Sequence, residues 1–477
     1  MGRGRVAGAA AALACVSGCS LLVSLDGLST PDASDAASET ADAPSDSTSS
    51  DATTDGGPNE GPVIAYATSS GVIRTRRWLG ATSAASWSPA VDGPSVPAGS
   101  VPRWVLARRG QGAQVLGVMS SVGVVSKLTV YDLIGSTWTA AFDATGFTTK
   151  VQRRPFDIAF ESKSGRAVVA WGGTDGNVRF RVREGSTWSA ESAAFPSSPA
   201  GPIHWLELAS SPTSNDLTMV IADDFDDVFA SRWDDGRFSP ADKLEDKIFN
   251  LDFKAFSVAY EQKSGDALIV WGFEAAPNTG VRFTTASAGT SSYPPAKLVP
   301  ETAGIPGAVV ALAPDPSSDR VALSYLESVC GGGSCDDFRV DVWGGAAWDP
   351  NGATLDTDIT TSFGMRLGSA PVAVAWSGPS SALAAYHRDS SGFRWASWGG
   401  SWKLETDVVA MPALPAKASF LPFSPIPGET VMLVATTDGK LWAKRFADGR
   451  WTDTEGGQAL EVELAATAPV PMTVDTR

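Results

Sequence analysis

Along most of the chain, apolar and polar positions alternate in short runs cut by glycine-containing turns. The stretch 156–195 shows the pattern in full. "FDIAFESKSG" alternates and then turns, and "RAVVAWGGTDG" is an apolar run ending in an Asp-Gly turn. "NVRFRVREGS" alternates apolar residues with arginine, and "TWSAESAAF" comes next as an outer run. Period-two alternation between turn dipeptides predicts four short antiparallel strands, with one face of the third wet. The first half recurs as "FSVAYEQKSGDALIVWG" from Phe256, and the second half as "VMLVATTDGKLWAKRFADGRWTDTE" from Val431. No stretch carries a convincing helical period.

The unit has a regular length. "GSTWTAA" at Gly135 and "GSTWSAE" at Gly185 open a series of aromatic positions: Trp87, Trp138, Trp188, Phe238, Tyr293, Trp348, Trp402 and Trp451. Their spacing stays between 49 and 55 residues. Four strands in about 50 residues, repeated around a ring, is the arithmetic of a β-propeller. A unit that cannot bury both sheet faces must pack against neighbours, and ring closure removes the terminal edges. "PVIAYATSSG" at Pro62 matches the second strand of other units, with no inner strand before it. "VPMTVD", 470–475, is a spare strand after the last unit. The expected fold is all-β: an eight-bladed propeller over 62–477, closed by the C-terminal strand, with seven blades as the alternative. The recurring aromatics are expected between adjacent sheets, each burying about 2–3 kcal/mol of apolar surface.

The N-terminal residues read differently. A basic start, "MGRGR", precedes an apolar run of 11 residues, Val6 to Val16, too short to span a bilayer as a mature helix. "VSGC", Val16 to Cys19, resembles the lipobox of bacterial lipoproteins at all four positions. The resemblance implies a signal peptide over 1–18 and lipidation of Cys19. Ser20 in the next position implies sorting to the outer membrane of a Gram-negative bacterium, on its periplasmic side or at the cell surface. Several acyl chains would anchor firmly where one is marginal. From Ser20 to Glu60 the chain has nine acidic residues and no Lys or Arg. Residues 19–61, rich in Ser, Asp, Ala and Thr, cannot offset their ordering entropy and are expected as a disordered tether spanning roughly 35 Å.

Charge narrows the partners. The chain carries 37 basic and 53 acidic residues, net −16; over 62–477 the balance is 35 to 44, net −9. This excludes nucleic acid and anionic membrane as bulk electrostatic partners. After export, Cys330 and Cys335 are the cysteines left besides Cys19. Flanking "GGGS" in an oxidising compartment, they are expected to form a disulfide worth roughly 2 kcal/mol. Two cysteines without histidine partners do not make a zinc site. "DDFDD", Asp223 to Asp227, lacks the ligand spacing of a calcium loop and reads as a solvated turn. The two histidines, His204 and His387, lie in different units and suggest no catalytic set. No catalytic residue, metal or cofactor is assigned.

The hairpins "EGSTW", "DGRF", "GGSW" and "DGRW" resemble a worn Asp-box of the sialidases. Gly185, Thr187 and Trp188 match its end, while the leading Ser-x-Asp is missing. The layout is also similar to fungal fucose-lectin propellers. The resemblance implies a carbohydrate-associated propeller and carries over no site, since the sialidase Arg-Ile-Pro stretch is absent.

One pattern points to a ligand. Sixteen residues after the aromatic, four consecutive units carry Arg103, Arg154, His204 and Lys254. Later units have Val309 and Ala418 there. A basic arc where the innermost strands begin suits an anionic ligand such as a sialylated, uronic or sulfated glycan. The expected function is non-catalytic binding of glycan or protein by an envelope-anchored lipoprotein. The alternatives are a sialidase-like glycoside hydrolase or lyase, and a scaffold in a surface complex.

Overall fold

The structure is a computed structural model. It describes residues 61–474 apart from 81–85, 148–152, 195–200, 249–252, 275–278, 291, 301, 305–306, 328–336, 357–371, 388–391, 414, 421–427 and 466–471. Cys19, Cys330, Cys335 and the tether lie outside the described residues.

Each 50-residue unit forms one antiparallel sheet, and there are eight. From the inside outward, blade 2 is Val101–Gly110, Ala113–Val122, Val125–Ile134 and Thr137–Ala144. Blades 3 to 8 begin with the inner strands Phe156–Phe160, Ile203–Ser210, Phe256–Tyr260, Gly307–Pro314, Val372–Gly378 and Pro415–Phe420. Blade 1 draws on both ends of the chain. Met472–Val474 is its inner strand and pairs with Val63–Ala67, bringing Ile64 opposite Val474 and Tyr66 opposite Met472. The inner strands touch their neighbours in one unbroken cycle from blade 1 through blade 8 and back. The ring is therefore closed with eight blades.

Strands one and two of most blades are buried on both faces, as "FDIAF", "AVVAWG" and "ALIVWGF" are throughout. The third strand alternates, as in Val178–Glu184 with its outward arginines. The recurring aromatics seal the seams between blades. Trp188 of blade 3 lies edge-on to Phe142 of blade 2, centroids 5.0 Å apart, and its Nε1 donates to Asp132 Oδ2 at 2.8 Å. Phe238 packs on Phe180 at 5.4 Å, Trp348 on Phe283 at 5.4 Å, and Trp451 on Trp395 at 6.2 Å, each one blade back. Trp87 joins a cluster with Val431 and Leu433 of blade 8, across the closure.

A polar latch repeats beside them. In blade 3 the amides of Lys163 and Ser164 both donate to Asn215 Oδ1 of blade 4, at 3.0 and 2.9 Å. In blade 5 those of Lys263 and Ser264 donate to Asp319 Oδ1 of blade 6, at 2.7 and 2.8 Å. The two "KSG" turns are thus the same joint used twice.

Candidate functional site

Eight inner strands around an axis leave a channel whose wall is set by which side chains point inward. Alternation would decide this alone, but four inner strands contain an irregularity near their start, and that of blade 7 has one at its far end, between Trp376 and Gly378. The register with strand two shifts between Pro102 and Trp104, Ile203 and Trp205, Gly307 and Val309, and Pro415 and Lys417. One extra residue in each strand reverses the facing of the residues after it. The extra residues are Arg103, His204, Ala308 and Ala416. The next ones, Trp104, Trp205, Val309 and Lys417, line the channel.

The four-residue basic arc therefore divides. Arg154 and Lys254 line the channel. Arg103 and His204, at the bulges, engage the end of strand two and the turn that follows it, respectively. Arg103 Nε donates to Ser121 Oγ at 2.8 Å, and burial lowers its pKa. His204 is fully buried, with Nε2 2.6 Å from Asp224 Oδ1, and Arg153 lies 3.8 Å from the same carboxylate oxygen. Neither Arg103 nor His204 is on the channel wall. The sixteen-residue phase is regular in sequence, but a bulge is invisible to it.

The channel has two chambers. One, of about 360 Å³, lies where the inner strands begin and includes Trp104, Arg154, Trp205, Lys254, Lys417 and Phe420 in its wall. The other, of about 440 Å³, lies toward their far ends beside Arg109, Phe160, Tyr260 and Gln262. Arg108 and Glu207 face both.

Ion pairs organise the boundary. Asp157, buried, accepts from the amides of Ile158 and Leu208 at 2.8 and 3.1 Å. Arg154 Nη2 is 3.1 Å from its Oδ2, and Arg108 Nη2 is 3.7 Å from its Oδ1. Lys254 Nζ lies 2.8 Å from Glu207 Oε1, which Ser257 also reaches at 3.3 Å. Glu207 Oε2 is buried with no hydrogen-bond partner. Lys417 Nζ donates to the Met472 carbonyl at 2.8 Å and stands 5.3 Å over the Trp104 ring. Trp104 meets Trp205 edge-on at 6.0 Å. Burial, and then the like charge of Arg154, pull the Lys417 ammonium down to about 7.

The smaller chamber thus gathers the basic side chains Arg108, Arg154, Lys254 and Lys417, the two arginines beside Asp157 and Lys254 on Glu207, with two indoles as walls. This is a place for an anionic group beside a flat apolar one. Lys417 stands one residue before the sixteen-residue phase, which lands on Ala418. The register shift in blade 8 is what brings it inward.

The remaining candidates lie away from the channel. His387 is buried against the Phe393 ring, 5.9 Å away. Asp223 Oδ1 caps its own turn, accepting from the amides of Phe225 and Asp227 at 2.9 and 3.2 Å. Among the described residues, no group of three or more His, Cys, Asp or Glu side chains could hold a metal.

No known protein family matches the chain, and no curated protein matches it. Among solved structures it is similar to a lectin of Burkholderia pseudomallei, at 12% identity and a TM-score of 0.49, covering 76% of this chain and 98% of the lectin. It is also similar to a protein from Lactobacillus plantarum, at 10% identity and a TM-score of 0.44, covering 87% and 99%. A third is AofleA from Arthrobotrys oligospora, at 11% and 0.36, covering 68% and 88%. Likeness at these scores assigns no ligand.

Proposed function

We propose that this chain is an outer-membrane lipoprotein, anchored through Cys19, whose propeller binds an acidic glycan without catalysis. The ligand's carboxylate or sulfate would sit between Arg154 and Lys254 in the smaller chamber, with a sugar face on Trp104 or Trp205. The observation that supports this is the convergence of cations and indoles on one chamber of a net acidic protein. A hydrolase needs one carboxyl group free to donate a proton. The two carboxylates placed at the channel, Asp157 and Glu207, are both ion-paired, which suits binding better.

The test is an acidic and neutral glycan array probed with the detergent-solubilised full-length protein. The R154A/K254A double variant should lose acidic-glycan binding by at least tenfold, about 1.4 kcal/mol. The R103A/H204A variant should retain it. Binding to neutral glycans only, or to none, would overturn the reading and favour a scaffold.

The anchor is tested separately. The Cys19→Ser protein should incorporate no labelled fatty acid and leave the membrane fraction. A C19S protein that is still labelled would refute the anchor.

A further inference from the structure

The two chambers of the channel share part of their wall, since Arg108 and Glu207 face both. The ion pairs at this boundary join neighbouring blades. Arg108 of blade 2 pairs with Asp157 of blade 3, and Glu207 of blade 4 with Lys254 at the start of blade 5. Such pairs run around the wall, not across the axis. Trp104 lines the smaller chamber and Arg109 the larger one, on the same inner strand. Five steps of extended chain at roughly 3.3 Å each set them about 17 Å apart. A single sugar ring is shorter than that.

Charge is uneven along this length. Three basic side chains, Arg154, Lys254 and Lys417, line the smaller chamber alone. Among the described residues, the charged ones that line the larger chamber alone are one base and one acid, Arg109 and Asp157. The polar wall there includes Ser210 and Gln262, both half-buried. Gln262 Nε2 donates to the Tyr260 carbonyl at 2.9 Å, so the amide oxygen is the atom that side chain offers the chamber. A hydroxyl and an amide, without surplus charge around them, suit the hydroxyls of a neutral sugar.

We propose that the channel takes one linear oligosaccharide across both chambers, with an acidic unit at its tip in the smaller chamber and neutral units behind it in the larger one. The inference rests on the acidic-glycan reading for the tip, and adds Ser210 and Gln262 as a second subsite. A free acidic monosaccharide then fills one chamber and leaves the other to water.

Isothermal titration of the detergent-solubilised full-length protein compares glucuronate, xylotriose and glucuronyl-xylobiose, in which the acid caps a neutral chain. Glucuronyl-xylobiose should bind at least tenfold more tightly than either of the others. Changing Ser210→Ala together with Gln262→Ala should cut its affinity about tenfold and that for glucuronate less than twofold; the retained glucuronate binding also shows that the double variant is folded. Equal affinity for glucuronate and glucuronyl-xylobiose, unchanged in the double variant, would overturn the second subsite and leave the acidic-glycan reading standing. Xylotriose binding as tightly as glucuronyl-xylobiose would overturn the acidic tip, and with it that reading. Binding of none of the three would overturn this inference, and the glycan array, read independently, decides whether the acidic-glycan reading falls with it.

Discussion

Glu161 and Glu261 occupy the same turn in blades 3 and 5, yet their chemistry differs through one neighbour. Glu161 accepts from Trp233 Nε1 at 2.6 Å and from Arg166 at 2.7 and 2.8 Å. Glu261 accepts from Trp343 Nε1 at 2.6 Å and from Ser264 at 2.6 Å, but Asp266 stands where the arginine was. Burial therefore pushes the Glu261 carboxyl up. Because its folded pKa is raised, the native state holds the extra proton, and stability drains away as pH climbs above the ordinary glutamate value. Glu161→Gln breaks a buried ion pair and should cost about 3 kcal/mol. Glu261→Gln keeps a neutral acceptor for Trp343 and should stay within about 1 kcal/mol of the parent at pH 7. Urea unfolding of both variants checks the contrast. Lys417 gives the opposite slope. Its folded pKa of about 7 lies below the unfolded value of 10.5, so the unfolded chain binds more protons between them and stability rises with pH across that window. Relative to Lys417→Met, the parent protein should gain stability from pH 7 to pH 10, as read from urea midpoints.

At the scale of elements, the blades meet closely because glycine stands at or next to the end of the second strand in two of them. A Cβ on Gly272 would stand 1.8 Å from the Gly307 carbonyl of blade 6, and one on Gly172 would stand 2.1 Å from Ile203 of blade 4. Gly272→Ala presses on backbone that has no rotamer to change, and should destabilise by about 1–3 kcal/mol. Differential scanning calorimetry measures it. The aromatic period, the four-strand units and the late start of blade 1 were all legible in the sequence, because each rests on local alternation or on spacing. The wall of the channel was legible only in part. Arg154 and Lys254 precede inner strands with no bulge and face inward as their phase implied. Arg103 and His204 are themselves the single inserted residues of their strands, and an insertion leaves no compositional mark. Trp104, Glu207 and Lys417 became site residues only once register was known.

For the whole molecule, the consequence of closure is cooperativity. Removing Met472–Val474 would expose the inner edge of blade 1 and take the Met472 carbonyl from Lys417. A chain ending at residue 469 should unfold in a broader transition with a lower urea slope, and limited proteolysis should first cut within blades 1 and 8.

The inner strand of blade 1 is also the last piece of the ring to be made. Residues 64 and 474 face each other in the finished ring, so a ribosome-bound or half-exported chain has at best an open arc, and its central chamber lacks one wall. With the export proposed above, secretion and closure are ordered in time. The chamber is then completed only after residues 472–474 have left the cytoplasm, so the ring of an exported copy closes on the far side of the membrane from where it is synthesised.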